Sequence, residues 1–363
     1  MSSGPRALVD TAALRHNLAV VRERAAGARV MAIIKANAYG HGLVPAARAL
    51  TDADAFGVAR LEEGLALRDA GLDQPIVLLE GVFSSEDLVM AAQRGCEIVV
   101  HSEAQLALLE QWPGSARIPV WFKIDSGMNR LGFRLEFSLS AWERLLRTQR
   151  VLGTPRLMTH LAVADERNDG RTMLQVRDFE QTVATLPGSS NAERSIANSA
   201  GLLAWPGARA DWVRPGLSLY GISPFRHELA SDFGLRPAMT FTTRLIAVGE
   251  VAAGEGVGYG AAWRATRRSR IGIAAVGYGD GYPRHMKSGS PVLVNGHTVP
   301  LAGRVSMDML AVDVTEISAS TGDPVVLWGE GLPAEQVALH ADTIPYELVC
   351  GVSQRVQMEY SGI

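Results

Sequence analysis

Only two cysteines, Cys96 and Cys350, occur in 363 residues, so no disulfide framework can hold the fold and a reducing compartment fits. Charge of one sign is not in excess either. The net charge is -3 with no basic tract, which gives no reason to expect a nucleic-acid partner. No apolar run is long enough to span a bilayer, and the opening MSSGPRALVD has no apolar signal core; the expectation is a soluble, cytoplasmic protein with no membrane partner. The histidines are scattered singly, without HExxH-like or Cys/His ligand spacing, so no metal is expected. Low-complexity tracts and long repeats are also missing. The tetrapeptide VGYG occurs at 257–260 and 276–279, too short to signify duplication.

What is present is an alternation. From residue 30 to about 220 short apolar runs recur: VMAII (30–34), AFGVA (55–59), PIVLLE (75–80), CEIVV (96–100), IPVWFKI (118–124), PRLMTHL (155–161), RSIAN (194–198) and DWVR (211–214). Amphipathic stretches such as EAQLALLEQW and SAWERLLRTQR lie between them. Eight strands alternating with helices predict an α/β fold, a (β/α)8 TIM-type barrel of parallel strands. An open doubly wound sheet is the alternative. Near residue 231 the pattern changes to period-two and β-branched runs, MTFTTRLIAV, RIGIAAV, LAVDVT and PVVLW. Residues 1–230 therefore read as the barrel and 231–363 as a mostly β C-terminal domain. Within VLVNGHTV, Asn295-Gly296 suits the positive φ angles of a type I′ hairpin turn.

Polar residues close the predicted strands: Lys35 the first, Lys123 the fifth, His160 the sixth, Asn198 the seventh and Arg214 the eighth. In a barrel these ends converge on the face where chemistry is placed. The loops behind the last two read Asn198-Ser199-Ala200-Gly201 and Arg214-Pro215-Gly216-Leu217. Small residues there let backbone N–H groups approach an anion. A phosphate-bearing cofactor beside a lysine suggests pyridoxal phosphate bound through the amine. Each residue alone has a plainer reading. A lysine at a strand end is usually a solvated terminus, His160 a satisfied core histidine, and Tyr259 a hairpin aromatic. GVGYGA lacks the helix and βαβ setting of a dinucleotide fingerprint. Asp125 and Asp308 fall in different predicted domains, where hydrogen-bonding roles suit them better than a carboxylate pair.

Nine strings in order, IIKANAYGHG, KIDSGMNRLGF, THLAVADE, ANSAG, VRPGLSLYG, GVGYGAAW, GYGDGYPR, AGRVSMDM and PYELVCG, closely resemble the alanine racemase family along nearly the whole chain. The resemblance implies a pyridoxal phosphate enzyme that interconverts L- and D-alanine, for peptidoglycan or for alanine breakdown. It implies that Lys35 carries the cofactor and is one catalytic base, with Tyr259 the second. Tyr39, Ser199, Gly216, Leu217 and Tyr346 match phosphate positions, with Asn198 beside them. Arg214 matches the arginine at the pyridine nitrogen, and His160 supports it. Arg130 and Met307 match substrate contacts, and Lys123 a lysine that is carbamylated in many members. Tyr259 and Met307 reach the site from the other subunit in the family, so a homodimer is implied. Two departures stand out: Ser306 replaces a common cysteine, and the tail Arg355-Val356-Gln357-Met358 lacks a usual proline and second arginine.

The implied chemistry fits these residue types. A proton leaves one face of Cα and returns to the other, so two bases are needed, and lysine and tyrosine, with reference pKa values of about 10, need tuning downward. An arginine at the pyridine nitrogen keeps its own proton and so weakens the electron sink. A broader-range amino-acid racemase, a barrel decarboxylase and a non-enzymatic cofactor carrier are the competing readings. An arginine at 214, where decarboxylases place an acid, and a full second domain argue against the last two.

Overall fold

The computed structural model describes residues 4–113 and 115–362. The chain opens with strand β1 (Arg6–Asp10) and a helix over Thr11–Ala25, capped by the Asp10 carboxylate accepting from the Ala12 N–H. Eight strands follow: β2 (Arg29–Ile33), β3 (Ala55–Val58), β4 (Ile76–Leu78), β5 (Cys96–Val100), β6 (Val120–Asp125), β7 (Arg156–Met158), β8 (Arg194–Asn198) and β9 (Trp212–Arg214). From β3 on, each pairs in parallel with the one before it, and β9 returns to β2 through Trp212 opposite Arg29 and Val213 opposite Val30. The result is the closed barrel expected from the eight apolar runs. These strands are buried on both faces, which is why they read as unbroken apolar runs; every residue of β3 and β5 is buried.

A polar plug closes the N-terminal end of the barrel. Arg156, the first residue of β7, pairs with Glu97 at 2.7 Å and Glu193 at 2.9 Å. The Trp121 and Trp212 indoles donate to the same two carboxylates. The opposite end, where the strands finish, is left for a site.

The rest is mostly β: β10 (Met239–Val251), β11 (Ser269–Ala274), β12 (Pro291–Val294), β13 (His297–Pro300), β14 (Leu310–Asp313), β15 (Pro324–Trp328) and β16 (Gln357–Ser361). The sheet runs β13-β12-β15-β10-β1-β16, with β11 bonded to β10 and β14. Burial alternates along the first seven residues of β10, as a half-buried strand requires. Asn295 (φ 51°) and Gly296 (φ 77°) form the two-residue turn between β12 and β13.

Reading residues 1–230 as one barrel unit needs a correction at its start. β1 pairs antiparallel with β10 and parallel with β16, so Arg6–Asp10 belong to the second sheet. Five residues carry no local sign of partners more than 200 positions away. The unusual tail packs well: Gln357–Ser361 run beside β1, and Arg355 pairs with Asp280 at 3.2 Å and Asp308 at 2.8 Å. Among the described residues no helix is long and apolar enough to cross a membrane.

Candidate active site

The C-terminal strand ends meet in a cavity of about 510 Å3. Lys35, Lys123, His160, Asn198 and Arg214, the five polar strand-end residues, all line it. Arg130, Ser199, Gly216 and Leu217 reach it from the loops above, and Tyr39 and Tyr346 close one side.

The segment after Lys35 is a left-handed helical turn. Ala36, Asn37, Ala38 and Tyr39 have φ of 54°, 54°, 54° and 53°, yet the Ala38 N–H still donates to Ile34 O and the Gly40 N–H to Ala36 O. Non-glycine residues resist this conformation at about 1–2 kcal/mol each, so the surroundings must impose it. Glu63 accepts from the Ala36 N–H at 2.7 Å with one oxygen and from the Ala59 N–H at 2.8 Å with the other. The Asn37 side chain accepts from the Leu43 N–H at 2.8 Å. A Cβ on Gly40 would lie 2.1 Å from Val349 O, which shows how closely the turn abuts the helix Pro345–Cys350 that carries Tyr346. The backbone strain is thus concentrated directly after Lys35, in the way strain clusters at functional sites.

The cavity is strongly cationic. Four of its lining residues are lysine or arginine, and Glu80 is its one carboxylate among the described residues. Burial first, then Arg130, lowers the Lys35 pKa, with Glu80 and Glu63 acting the other way. Lys123 is pushed down to about 8 by burial, Arg214, Arg130 and Lys35. Arg214 is fully buried, and burial brings it down to about 10, still a cation at neutral pH. Its guanidinium donates to Ser195 Oγ at 2.6 Å, to the Thr159 and Ile196 carbonyls and to His160 Nδ1 at 3.4 Å. Burial and these cations hold His160 well below the usual histidine range, so it is a neutral acceptor behind the arginine.

At the other end hydroxyl and backbone donors gather. Ser199 Oγ accepts from the Gly216 N–H at 2.9 Å and the Ser218 N–H at 3.3 Å. Asn198 Oδ1 accepts from the Gly201 N–H. A Cβ at Gly216 would stand 2.4 Å from the Tyr39 hydroxyl, so only glycine lets this loop approach. The Tyr39 ring stacks on Tyr220 at 4.8 Å and leans on Tyr346 at 5.7 Å. Burial raises both Tyr39 and Tyr346, the latter to about 12, which keeps them as protonated donors. Lysine, arginine, hydroxyls and close backbone give the cavity groups that can pair with an anion, and an amine that can condense with a carbonyl.

Comparison with known proteins agrees along the full length. The family models "Alanine racemase, N-terminal domain" and "Alanine racemase, C-terminal domain" match residues 9–224 and 238–360. Alanine racemase of Aeromonas hydrophila is 51% identical over 355 residues, 98% of each chain. The chain belongs to the alanine racemase family. It is thus an isomerase acting on amino acids. Alanine racemase of Nitrosococcus oceani is 51% identical over 97% of this chain and 98% of its own. The crystal structure of biosynthetic alanine racemase from Pseudomonas aeruginosa superposes with a TM-score of 0.94 at 42% identity, covering 99% of this chain and all of that one. The Bartonella henselae alanine racemase with covalently bound pyridoxal phosphate superposes at 0.87 with 28% identity, over 99% of this chain and 100% of that one.

Two residues that the family resemblance singles out stay outside the cavity. Tyr259 is 68% exposed and Met307 52% exposed, and neither lines the pocket of its own chain. Their loops are neighbours: a Cβ on Gly260 would lie 3.6 Å from the Arg304 guanidinium, and the Tyr278 and Gly279 N–H groups donate to Ser306 O and Met307 O. Asp125 accepts from the Gly127 and Asn129 N–H groups, and Asp308 pairs with Arg355, so the two are no carboxylate pair.

Some site residues escaped the sequence reading. Glu80 ends the run PIVLLE, and the strand-end rule that selected Lys35 would have found it. Glu63 is the third residue of a helix, where a glutamate normally signals only a cap. Tyr220, whose hydroxyl donates to Ile33 O at 3.0 Å and whose ring backs Tyr39, has no role in that reading, although it lies in the string VRPGLSLYG. Among the described residues no group of three or more His, Cys, Asp or Glu side chains could hold a metal ion.

Proposed function

We propose that the protein interconverts L- and D-alanine with pyridoxal phosphate bound through Lys35, as a homodimer in which the partner subunit's Tyr259 completes each site. One observation carries this reading: a strained, cation-rich pocket presents the Lys35 amine, while Tyr259 is exposed and lies outside that pocket. The fit to the cofactor rests on the donor set. Ser199, Tyr39, Tyr346 and the backbone of Gly216 and Leu217 would hold the phosphate, and Asn198 braces the loop. Bound there, the cofactor would draw electrons from the substrate and acidify its Cα–H bond.

The protein groups do the rest. Lys35, its pKa lowered by burial and Arg130, takes or returns the Cα proton on one face. The partner subunit's Tyr259 serves the other face, with the partner subunit's Met307 shaping the substrate space. Arg130 holds the substrate carboxylate. Arg214 would donate to the pyridine nitrogen and leave it unprotonated, since a guanidinium keeps its proton; this limits charge delocalisation and favours quick proton return. Lys123 at about 8 keeps a neutral fraction near neutral pH. That amine can add to carbon dioxide with loss of a proton, giving a carbamate anion. No carboxylate of the described residues pairs with Arg130, and a carbamate would hold it in a charge-assisted bond.

A broader-range racemase uses the same machinery and differs in substrate space. A non-enzymatic carrier would need neither the second domain nor exposed Tyr259 and Met307. The test is direct, because the chain has three lysines, Lys35, Lys123 and Lys287. Borohydride should fix the cofactor to the peptide containing Lys35, and circular dichroism of L-alanine should decay while that of L-lysine and L-arginine persists. Label on Lys123 or Lys287, or no loss of the alanine signal, would refute the proposal.

A further inference from the structure

We propose that a single buried water molecule is built into the support of the Lys35 turn, donating to His41 Nε2 and accepting from the indole N–H of Trp328. The site is a small pocket between the barrel and the second sheet, apart from the cavity described above. His41 follows the left-handed turn directly and is fully buried. Its Nδ1 lies 2.9 Å from Tyr39 O and 3.1 Å from Ala38 O. Carbonyl oxygens only accept, so Nδ1 carries the proton and Nε2 presents a lone pair. That lone pair has no partner among the described residues, and neither has the indole N–H of Trp328, 1% exposed at the end of β15.

Both residues line one small cavity whose other walls include Ile222, Pro237, Met239 and Val349. About 10 Å3 of it is open to the centre of a water molecule, close to the roughly 10–15 Å3 that one water needs. Two residues that line one pocket, one with an unpaired buried acceptor and the other with an unpaired buried donor, are what one bridging water would satisfy. Left unpaired, each would cost free energy that buried polar groups rarely bear. The bridge has a consequence for the lysine. It fixes His41 in the tautomer whose Nδ1–H binds the Ala38 and Tyr39 carbonyls, so a residue of the second sheet helps hold the strained turn of the barrel. The water itself is independent of what the main cavity binds.

A crystal structure of the full-length holoenzyme at a resolution that shows ordered water is the test. One peak within about 2.7–3.2 Å of both nitrogens is expected; an empty cavity or a direct N–H···N contact would overturn the proposal. Nitrogen-15 NMR of labelled histidine should find His41 neutral and protonated at Nδ1, and a ring protonated at Nε2 would contradict it. In Trp328→Phe the peak should vanish and amide exchange across residues 36–43 should quicken about tenfold, the equivalent of one hydrogen bond. A full-occupancy water or unchanged exchange in that variant would show that the indole holds neither. If Trp328→Phe does not fold, the two wild-type measurements decide alone.

Discussion

Replacing Ala36 by glycine should leave the protein as stable as before, or more so, although the same change in a right-handed helix costs stability. Ala36 is exposed and has a φ of 54°, a conformation that costs an alanine about 1–2 kcal/mol and glycine almost nothing. Against that relief, glycine loosens the unfolded chain, worth about 0.4–1 kcal/mol. The net effect therefore runs from zero to roughly 1.5 kcal/mol of stabilisation. Ala19 is the control, exposed in the right-handed helix Thr11–Ala25, where glycine should cost about 1 kcal/mol. The two variants should thus differ by about 1–2.5 kcal/mol, with Ala36→Gly the more stable. Guanidinium unfolding of the cofactor-free protein measures both, provided the slopes agree. If Ala36→Gly loses as much as Ala19→Gly, the left-handed turn is not a strained element held by its surroundings, and the account of how Lys35 is aimed fails.

Mixing inactive Lys35→Ala and Tyr259→Ala homodimers under mild denaturant should restore activity towards roughly a quarter of wild type, since about half the dimers are mixed with one good site each. No recovery, with exchange confirmed by mass spectrometry, would exclude Tyr259 acting across the dimer. Glu80 raises the Lys35 pKa from within the same cavity, so Glu80→Gln should lower it, as read by competitive trace acetylation of Lys35 in cofactor-free protein across pH; an unchanged or higher midpoint would contradict the assignment. Lys123→Ala should lose activity and regain part of it with added short carboxylates, and no rescue would discard the carbamate. Burial lowers His41 from 6.5 to about 4, so between those values the unfolded chain binds a proton that the folded one refuses. Its contribution is intact above pH 6.5 and lost as pH falls towards 4, about 3 kcal/mol in all; a flat urea stability between pH 7 and 4.5 would refute this.

The eight barrel strands were legible because strands buried on both faces must be apolar throughout, and such runs stand out between amphipathic helices. The strand-end residues were legible for the same reason: Lys35, Lys123, His160, Asn198 and Arg214 interrupt or end runs that are otherwise apolar. Asn295-Gly296 announced its hairpin through the φ angles those residues tolerate. All of these are local signals, written within a few positions of the structure they specify.

Tertiary structure alone decided the rest. Ala36 and Ala38 disfavour the left-handed region, and one asparagine that tolerates it, Asn37, does not announce four such residues in a row; Glu63, His41 and the helix behind Gly40 impose it. β1 joins the second sheet because β10 and β16 offer it hydrogen bonds, and neither lies near it in sequence. Tyr259 lies outside the cavity of its own chain, a matter of where the loop over residues 258–261 projects and not of its composition. Local sequence sets what each segment can become, while strain, pairing partners and the direction a side chain faces depend on contacts between segments distant in the chain, which exist only once the chain has closed on itself.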